Sequence, residues 1–290
     1  MNRTLLTVGT CALAIAIAAC GDSTSPLLSN QDVTSTDSSD VAAQVAADAA
    51  TSDVQTMNGV SNTMGWSVAA PNSGVSMNYM ASAHPDLSAA LSATFKSECT
   101  YNSVDGRFHC LEQTNGNGVT VIRIITLYDT TGATMDHFDS TTASLNVQAT
   151  LSGIVSLKNG ADTVNGTRNL TATGLYGAHN TTRTWNGTGD GTHGAYWSDS
   201  AASRTSHVTY STTFTNVVVD LPRSTNPYPA SGTITRVVTG TGVVIKNGKK
   251  RTITVTRTVT ITFNGSQTVP MIVGDEHYTV DLSTGLATHS

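Results

Sequence analysis

Beyond Phe95 apolar and polar residues alternate almost without interruption, with the period of a pleated strand rather than of a helix. Val119, Val121, Arg123, Ile125 and Leu127 share one face of the first long run. Thr120, Ile122, Ile124, Thr126 and Tyr128 share the other, so this strand is expected to be covered on both sides. Asp129-Thr130-Thr131-Gly132 turns it back into a run over 133–138. Further strands are predicted at 141–157, 167–176, 181–188 and 204–221.

Turn chemistry fixes a register for the C-terminal third. Lys246-Asn247-Gly248-Lys249 reads as a two-residue hairpin, which sets Ile234 against Ile261, Arg236 against Val259, and Val238 against Arg257. Gly240 and Gly242 then face Val255 and Ile253. Phe263-Asn264-Gly265 as a three-residue loop would set Val269, Met271 and Val273 against Val259, Arg257 and Val255. A tight turn at Asp275-Glu276 would bring Tyr278, Val280 and Leu282 beside Val273, Met271 and Val269. The result is a meander with one apolar face, its other face a row of Thr at 252, 254, 256, 258, 260 and 262.

Ahead of the strands, Ser39 or Asp40 can cap an Ala-rich helix over 40–57 that Asn58-Gly59 stops. Val41, Val45 and Ala49 form one stripe, so this helix is expected to pack on a sheet. Residues 60–95, interrupted by Gly65, Pro71, Gly74 and Pro85, read as irregular cover over a core edge. The fold class is therefore mainly β: one or more large antiparallel meander sheets, open, half-barrel or sandwich, with one N-terminal helix packed on them. A single β-rich domain over 40–290 is expected.

Composition agrees. The chain carries 49 Thr and 30 Ser in 290 residues, while only 12% are charged, against about 25% in an average globular protein. Such a composition disfavours helical bundles. The net charge of −5 and the absence of any basic run beyond Lys249-Lys250-Arg251 exclude the footprint of a nucleic-acid binder. Six Asp and no Lys or Arg fall in residues 20–60, so the acidity belongs to the N-terminal part and no acidic binding face is expected on the body.

The first twenty residues read as an export signal, with Arg3 as the positive n-region and Leu5 to Ile17 as the apolar h-region. Its end, Ile17-Ala18-Ala19-Cys20, resembles the bacterial lipobox. That resemblance implies acylation of Cys20, removal of residues 1–19 and attachment to a membrane through lipid, with 20–39 as a flexible Ser/Thr/Asp/Pro tether. In such lipoproteins an Asp directly after the Cys retains the product in the inner membrane. Here Gly21 follows, so the outer membrane is expected. No other stretch approaches the roughly eighteen apolar residues of a membrane span.

In an exported protein Cys99 and Cys110 are the remaining candidates for pairing. If Ser103 to Gly106 form a four-residue loop around Asp105-Gly106, Cys99 falls opposite Cys110 and a cross-strand disulfide follows.

The chain carries no GxSxG, HExxH, phosphate-loop, dinucleotide-binding or EF-hand pattern, and its eight His lack ligand spacing. No catalytic residue, metal ligand or cofactor is assigned. Two constellations stand out. The Gly-rich stretch from Trp185 through Asp190 and His193 to Trp197 is either a calcium- or glycan-binding loop, or a strand whose glycines make room for neighbouring rings. Arg236, Arg257 and Arg123 fall on apolar faces. They are either an anion anchor in an open β cavity, or structural cations paired with Asp220, Glu112 or Asp281 or reaching the sheet rim.

Phrases such as Arg183-Thr-Trp-Asn-Gly-Thr-Gly189 and Thr258-Val-Thr-Ile-Thr-Phe-Asn-Gly265 resemble uncharacterised Thr-rich lipoproteins of environmental bacteria over roughly 120–285, a resemblance that transfers no catalytic residue. The expected function is that of a lipid-anchored envelope protein with a structural or binding β scaffold, whose partners beyond the membrane are an envelope polymer or an apolar ligand. A periplasmic carrier of an apolar ligand, of the half-barrel lipoprotein type, and a glycan-acting hydrolase are the alternatives.

Overall fold

In the computed structural model, the structure describes helical positions between 39 and 60 and the chain from Cys99 to Ser290, apart from 115–118, 158–159, 177–180, 199–201, 222–225, 247 and 284. The signal segment, Cys20, the tether up to 38 and the expected irregular cover from 61 onward lie outside the described residues. The strands are β1 (Cys99–Asn102), β2 (Arg107–Cys110), β3 (Gln113–Thr114), β4 (Val119–Asp129), β5 (Thr134–Met135), β6 (Thr142–Leu157) and β7 (Gly160–Thr173). They continue with β8 (Thr182–Ser198), β9 (Ala202–Asp220), β10 (Ser231–Lys246), β11 (Lys249–Thr262), β12 (Thr268–Val273), β13 (Glu276–Asp281) and β14 (Leu286–His289). All fourteen belong to one open antiparallel sheet in the order β1-β2-β4-β6-β7-β8-β9-β10-β11-β12-β13-β14, with β3 and β5 pairing off that path on β4. Apart from the steps over β3 and β5, every strand on the path lies beside its sequence neighbour.

The disulfide hairpin forms as its turn residues dictate. Asn102 pairs with Arg107 and Cys99 with Cys110, Gly106 takes the left-handed conformation at φ 70°, and the two sulfurs are bonded. At the next turn the Asp129 carboxylate accepts from the backbone N–H of Thr131 and Ala133 at 2.8 and 2.9 Å. The run expected over 133–138 contributes only the two-residue β5. Strands β7 and β8 are longer than the pattern predicted, because the Gly-rich stretch after Gly187 pairs on both sides without interruption.

The β10–β11 register is the predicted one, from Ile234 opposite Ile261 to Gly242 opposite Ile253. The next two registers differ. Val259 faces Val273 and Ile261 faces Met271, because the β11–β12 connection is longer than three residues. In that connection the Phe263 N–H bonds to the Gly232 carbonyl and Gly265 N–H to the Pro229 carbonyl. Val269 then faces Val280 and Met271 faces Tyr278, because Gly274 at φ 60°, not Glu276, supplies the turn residue. Both shifts are even, so every side chain keeps its face.

One device holds the alternation in phase through β9. Inward residues Val208, Thr212 and Phe214 are even-numbered and Val217 and Val219 odd, all of them buried. The phase changes at Asn216, the one described non-glycine residue with positive φ, 48°. There the pairing slips on both sides, between Trp185/Gly187 and between Ser231/Thr233. The β-bulge absorbs one residue and returns the next valines to the apolar side.

Val255, Val259, Val269, Met271, Val280 and Leu282 are buried together, whereas Thr254, Thr256 and Thr258 are exposed and Thr260 half-buried. On β4 the second cover expected from the pattern reaches Thr126 but leaves Ile122 43% exposed. The buried side, here called the inner face, receives the helix, α1 (within 39–60). Ala42, Ala43, Ala46, Ala47, Ala50, Met57 and Val60 join the same apolar cluster as Val147, Leu170, Trp185, Phe214 and Ile234. Except for the half-buried Thr56, every described position of α1 is buried. The described positions of α1 thus turn mainly small apolar side chains to the sheet.

Two outcomes follow. Val259→Asp is expected to place an unpaired carboxylate in the core and to cost several kcal/mol or prevent folding, while Thr258→Asp on the exposed face changes stability by about 0.5 kcal/mol or less, measured by urea unfolding. The exported protein is expected to show two fewer free thiols, counted after denaturation, without reductant than with it. Equal counts would exclude the Cys99–Cys110 bond.

Candidate functional site

The three candidate arginines occupy inner-face positions, as their register requires, and the structure adds a fourth. Arg123 pairs with Ala149, and Ala149 with Arg168. Arg168 pairs with Gly189 and Gly189 with Thr212, whose other neighbour is Arg236. Arg123, Arg168 and Arg236 thus lie in one row across six strands, separated by small residues, and all three are buried. The small residues give the guanidinium stems room. A Cβ on Gly189 would sit 2.5 Å from Arg168 Cδ and 2.7 Å from the Thr167 carbonyl oxygen.

The acid that answers these cations comes from α1. Asp53, 1% exposed, accepts from Arg168 Nε through Oδ1 at 2.6 Å, and its Oδ2 accepts from Arg236 Nη2. Arg236 also donates through Nη1 to the Ala46 carbonyl at 2.9 Å. Arg168 donates through Nη1 to the carbonyls of Thr167 and Asp190. Burial lowers the affinity of both guanidinium groups for their protons. For Arg168 the Asp53 carboxylate more than offsets this and holds the group above its ordinary value. For Arg236 burial wins, with the Arg168 charge adding to it, and the group is pushed down.

The pairing corrects one expectation. The acids expected for these arginines are Asp220, Glu112 or Asp281, whereas the structure supplies Asp53 from the acidic N-terminal part. Asp53 falls four residues after Ala49 on the stripe Val41, Val45, Ala49, so its direction was readable. Its partners were not, lying 115 and 183 residues away in sequence. Arg168 was also missed, although it alternates with Leu170 and Ala172 as Arg123 does with Ile125 and Leu127. Arg257 lies one row further along, half-buried, with Nε donating to Ser39 Oγ at 3.3 Å and Nη1 to the Thr256 carbonyl. Arg183, fully buried, donates to the carbonyls of Gly174 and Thr182, both at 2.7 Å.

The Gly-rich stretch is strand, not loop. Its glycines make room for side chains: a Cβ on Gly191 would lie 2.2 Å from the ring of Tyr210, which itself sits 5.7 Å beneath the Arg168 guanidinium. Trp185 is fully buried on the inner face. Asp190 points outward and is exposed, while the odd-numbered His193 belongs to the inner row between Val164 and Val208. The pleat therefore separates these two residues. Trp197 takes a register position between Gly160 and Arg204, seven residues from Asp190. The stretch does not converge into a calcium- or sugar-binding loop.

On the outer face a shallow groove of about 540 Å³ crosses β6 to β10, with Asp190 among its lining residues. Among the described residues no group of three or more His, Cys, Asp or Glu gathers as a metal site. Comparisons with protein-family models, with curated proteins and with solved structures find no match for this chain.

Asp53→Asn is expected to leave two buried guanidinium groups without their counter-charge and to cost about 3–5 kcal/mol in urea unfolding. Replacing Asp53, Arg168 and Arg236 together by Leu, Met and Met is expected to recover most of that loss. If the single variant is as stable as wild type, the triad does not hold α1.

Proposed function

We propose that the protein is a lipid-anchored component of the bacterial cell envelope, held through Cys20 in the outer membrane, whose open β-sheet is a structural or binding scaffold. The observation that carries this reading is the junction between the signal and the core. Ile17-Ala18-Ala19-Cys20 presents a lipobox, and the helix that begins 19 residues beyond Cys20 is buried on the inner face of the sheet and ion-paired there. The anchor thus leads through a polar tether directly into the core. A Cys99–Cys110 bond suits an oxidising envelope compartment.

The same arrangement speaks against a carrier of apolar ligands. Such a carrier needs an open apolar cavity, whereas the apolar face of the described sheet holds α1, with Asp53 on the very arginines that would receive a ligand's carboxylate. The exposed face is hydroxyl-rich, which suits contact with a polymer of the envelope.

Replacing Cys20 by Ser is expected to abolish metabolic labelling with a radioactive fatty acid and to move the protein from the membrane to the soluble fraction. Undiminished labelling, or full retention on membranes after a salt wash, would overturn the anchoring.

A further inference from the structure

We infer that the groove across the outer face is a binding site for a neutral polyhydroxylated chain, a glycan strand in extended form. This rests on the reading of the protein as an envelope scaffold and names the class of polymer that it holds. Two adjacent outer-face rows line the groove. One runs Thr150, Thr167, Asp190, Ser211, Val237 and the other Ser152, Asn165, Thr192, Thr209, Thr239. Each takes one residue from each of five consecutive strands, so at about 4.8 Å per strand the rows run about 19 Å, and they lie about 6.7 Å apart along the strands. The groove is thus a track across the sheet rather than a pit.

Gly166 and Gly191 lie between the two rows, on adjacent strands, and their missing side chains are on the inner face. The ring of Tyr210 occupies the space a Cβ of Gly191 would take, and the Arg168 guanidinium lies over that ring. Between the two rows the side chains point to the inner face, so backbone forms the bottom of the groove, and the Thr and Ser residues form its walls.

The lining selects its occupant by elimination. Lys and Arg are missing from it and Asp190 is its only charge, so an anionic polymer would meet a carboxylate with no compensating cation. One apolar side chain of any size in the two rows, Val237, gives an acyl chain little surface to cover. A peptide cannot add here as a strand, because β6 to β10 are each hydrogen-bonded on both edges. A chain of hydroxyls meets none of these obstacles. Thr and Ser hydroxyls both donate and accept, Asn165 offers amide donors and an acceptor, and the Asp190 carboxylate accepts from two neighbouring hydroxyls at once. Threonine methyl groups and Val237 supply apolar contact for the C–H faces of sugar rings.

The test uses the purified full chain and five hexasaccharides: neutral maltohexaose, cellohexaose and N-acetylated chitohexaose, anionic oligogalacturonate and cationic chitosan hexamer, titrated by calorimetry or by protein NMR. At least one neutral hexasaccharide is expected to bind saturably, and its binding to weaken tenfold or more in Thr167→Val/Thr192→Val and in Asp190→Asn. Both variants change exposed or half-exposed outer-face positions, and unaltered thermal unfolding checks that they fold; should either fail, Ser211→Ala takes its place. Saturable binding to no neutral saccharide, tighter binding of the anionic or cationic hexamer, or equal binding by the variants would each overturn the inference. Repeating the titration with the Cys20→Ser protein separates this result from the anchoring: binding there is expected to be unchanged whatever the fractionation experiment shows.

Discussion

The carboxylate of Asp53, shared between Arg168 and Arg236, is the interaction on which the arrangement of helix and sheet depends. Nearly every other hydrogen bond in the sheet joins a strand to its neighbour in sequence. Such bonds define a ribbon but not what lies on it. The triad, with the Arg236 bond to the Ala46 carbonyl and the Arg257 bond to Ser39, joins α1 to β7, β10 and β11. These contacts span 115 to 218 residues of sequence and fix both the position and the direction of the helix. An Ala-rich helix has few large side chains to key into a sheet, and alanine contacts alone would tolerate sliding by a turn. A buried charge that finds its partners in one position only removes that freedom, even where the pair adds little net stability.

This division of labour explains what could be read from the sequence. The β10–β11 register and the Cys99–Cys110 pairing were legible because each follows from one short turn with Asn-Gly or Asp-Gly at its centre. The β12–β13 register was displaced because its turn falls on Gly274, and the β11–β12 register because its connection is set by residues outside the hairpin. Phe263 and Gly265 bond back to Gly232 and Pro229, partners that no local rule can supply. The burial of the valine row survived that displacement, since alternation is a property of the strand and not of the pairing.

The arginine row shows the opposite limit. That Arg123, Arg236 and Arg257 interrupt apolar faces is visible in the alternation, but their alignment needs every register from β4 to β11 at once. Asp53 was legible in direction and illegible in partner. The groove was illegible altogether, because its walls are ordinary outward Thr and Ser residues. The two rows fall side by side only through the registers of five successive strands.

The two faces are not independent, although the pleat sends their side chains apart. Arg168 holds Asp53 with Nε and the carbonyl of Asp190 with Nη1, at 2.6 and 3.1 Å, and its guanidinium lies over the Tyr210 ring, 5.7 Å from its centre. Gly189 and Gly191 flank Asp190 along β8, and both lack side chains where Arg168 and Tyr210 need the space. The same guanidinium therefore fixes the helix that leads from the membrane tether and supports the backbone from which Asp190 projects outward. Three glycines in the middle of long strands weaken intrinsic strand propensity. Their arrangement here is accounted for by a single requirement, that a buried arginine and the tyrosine ring under it find room on the inner face.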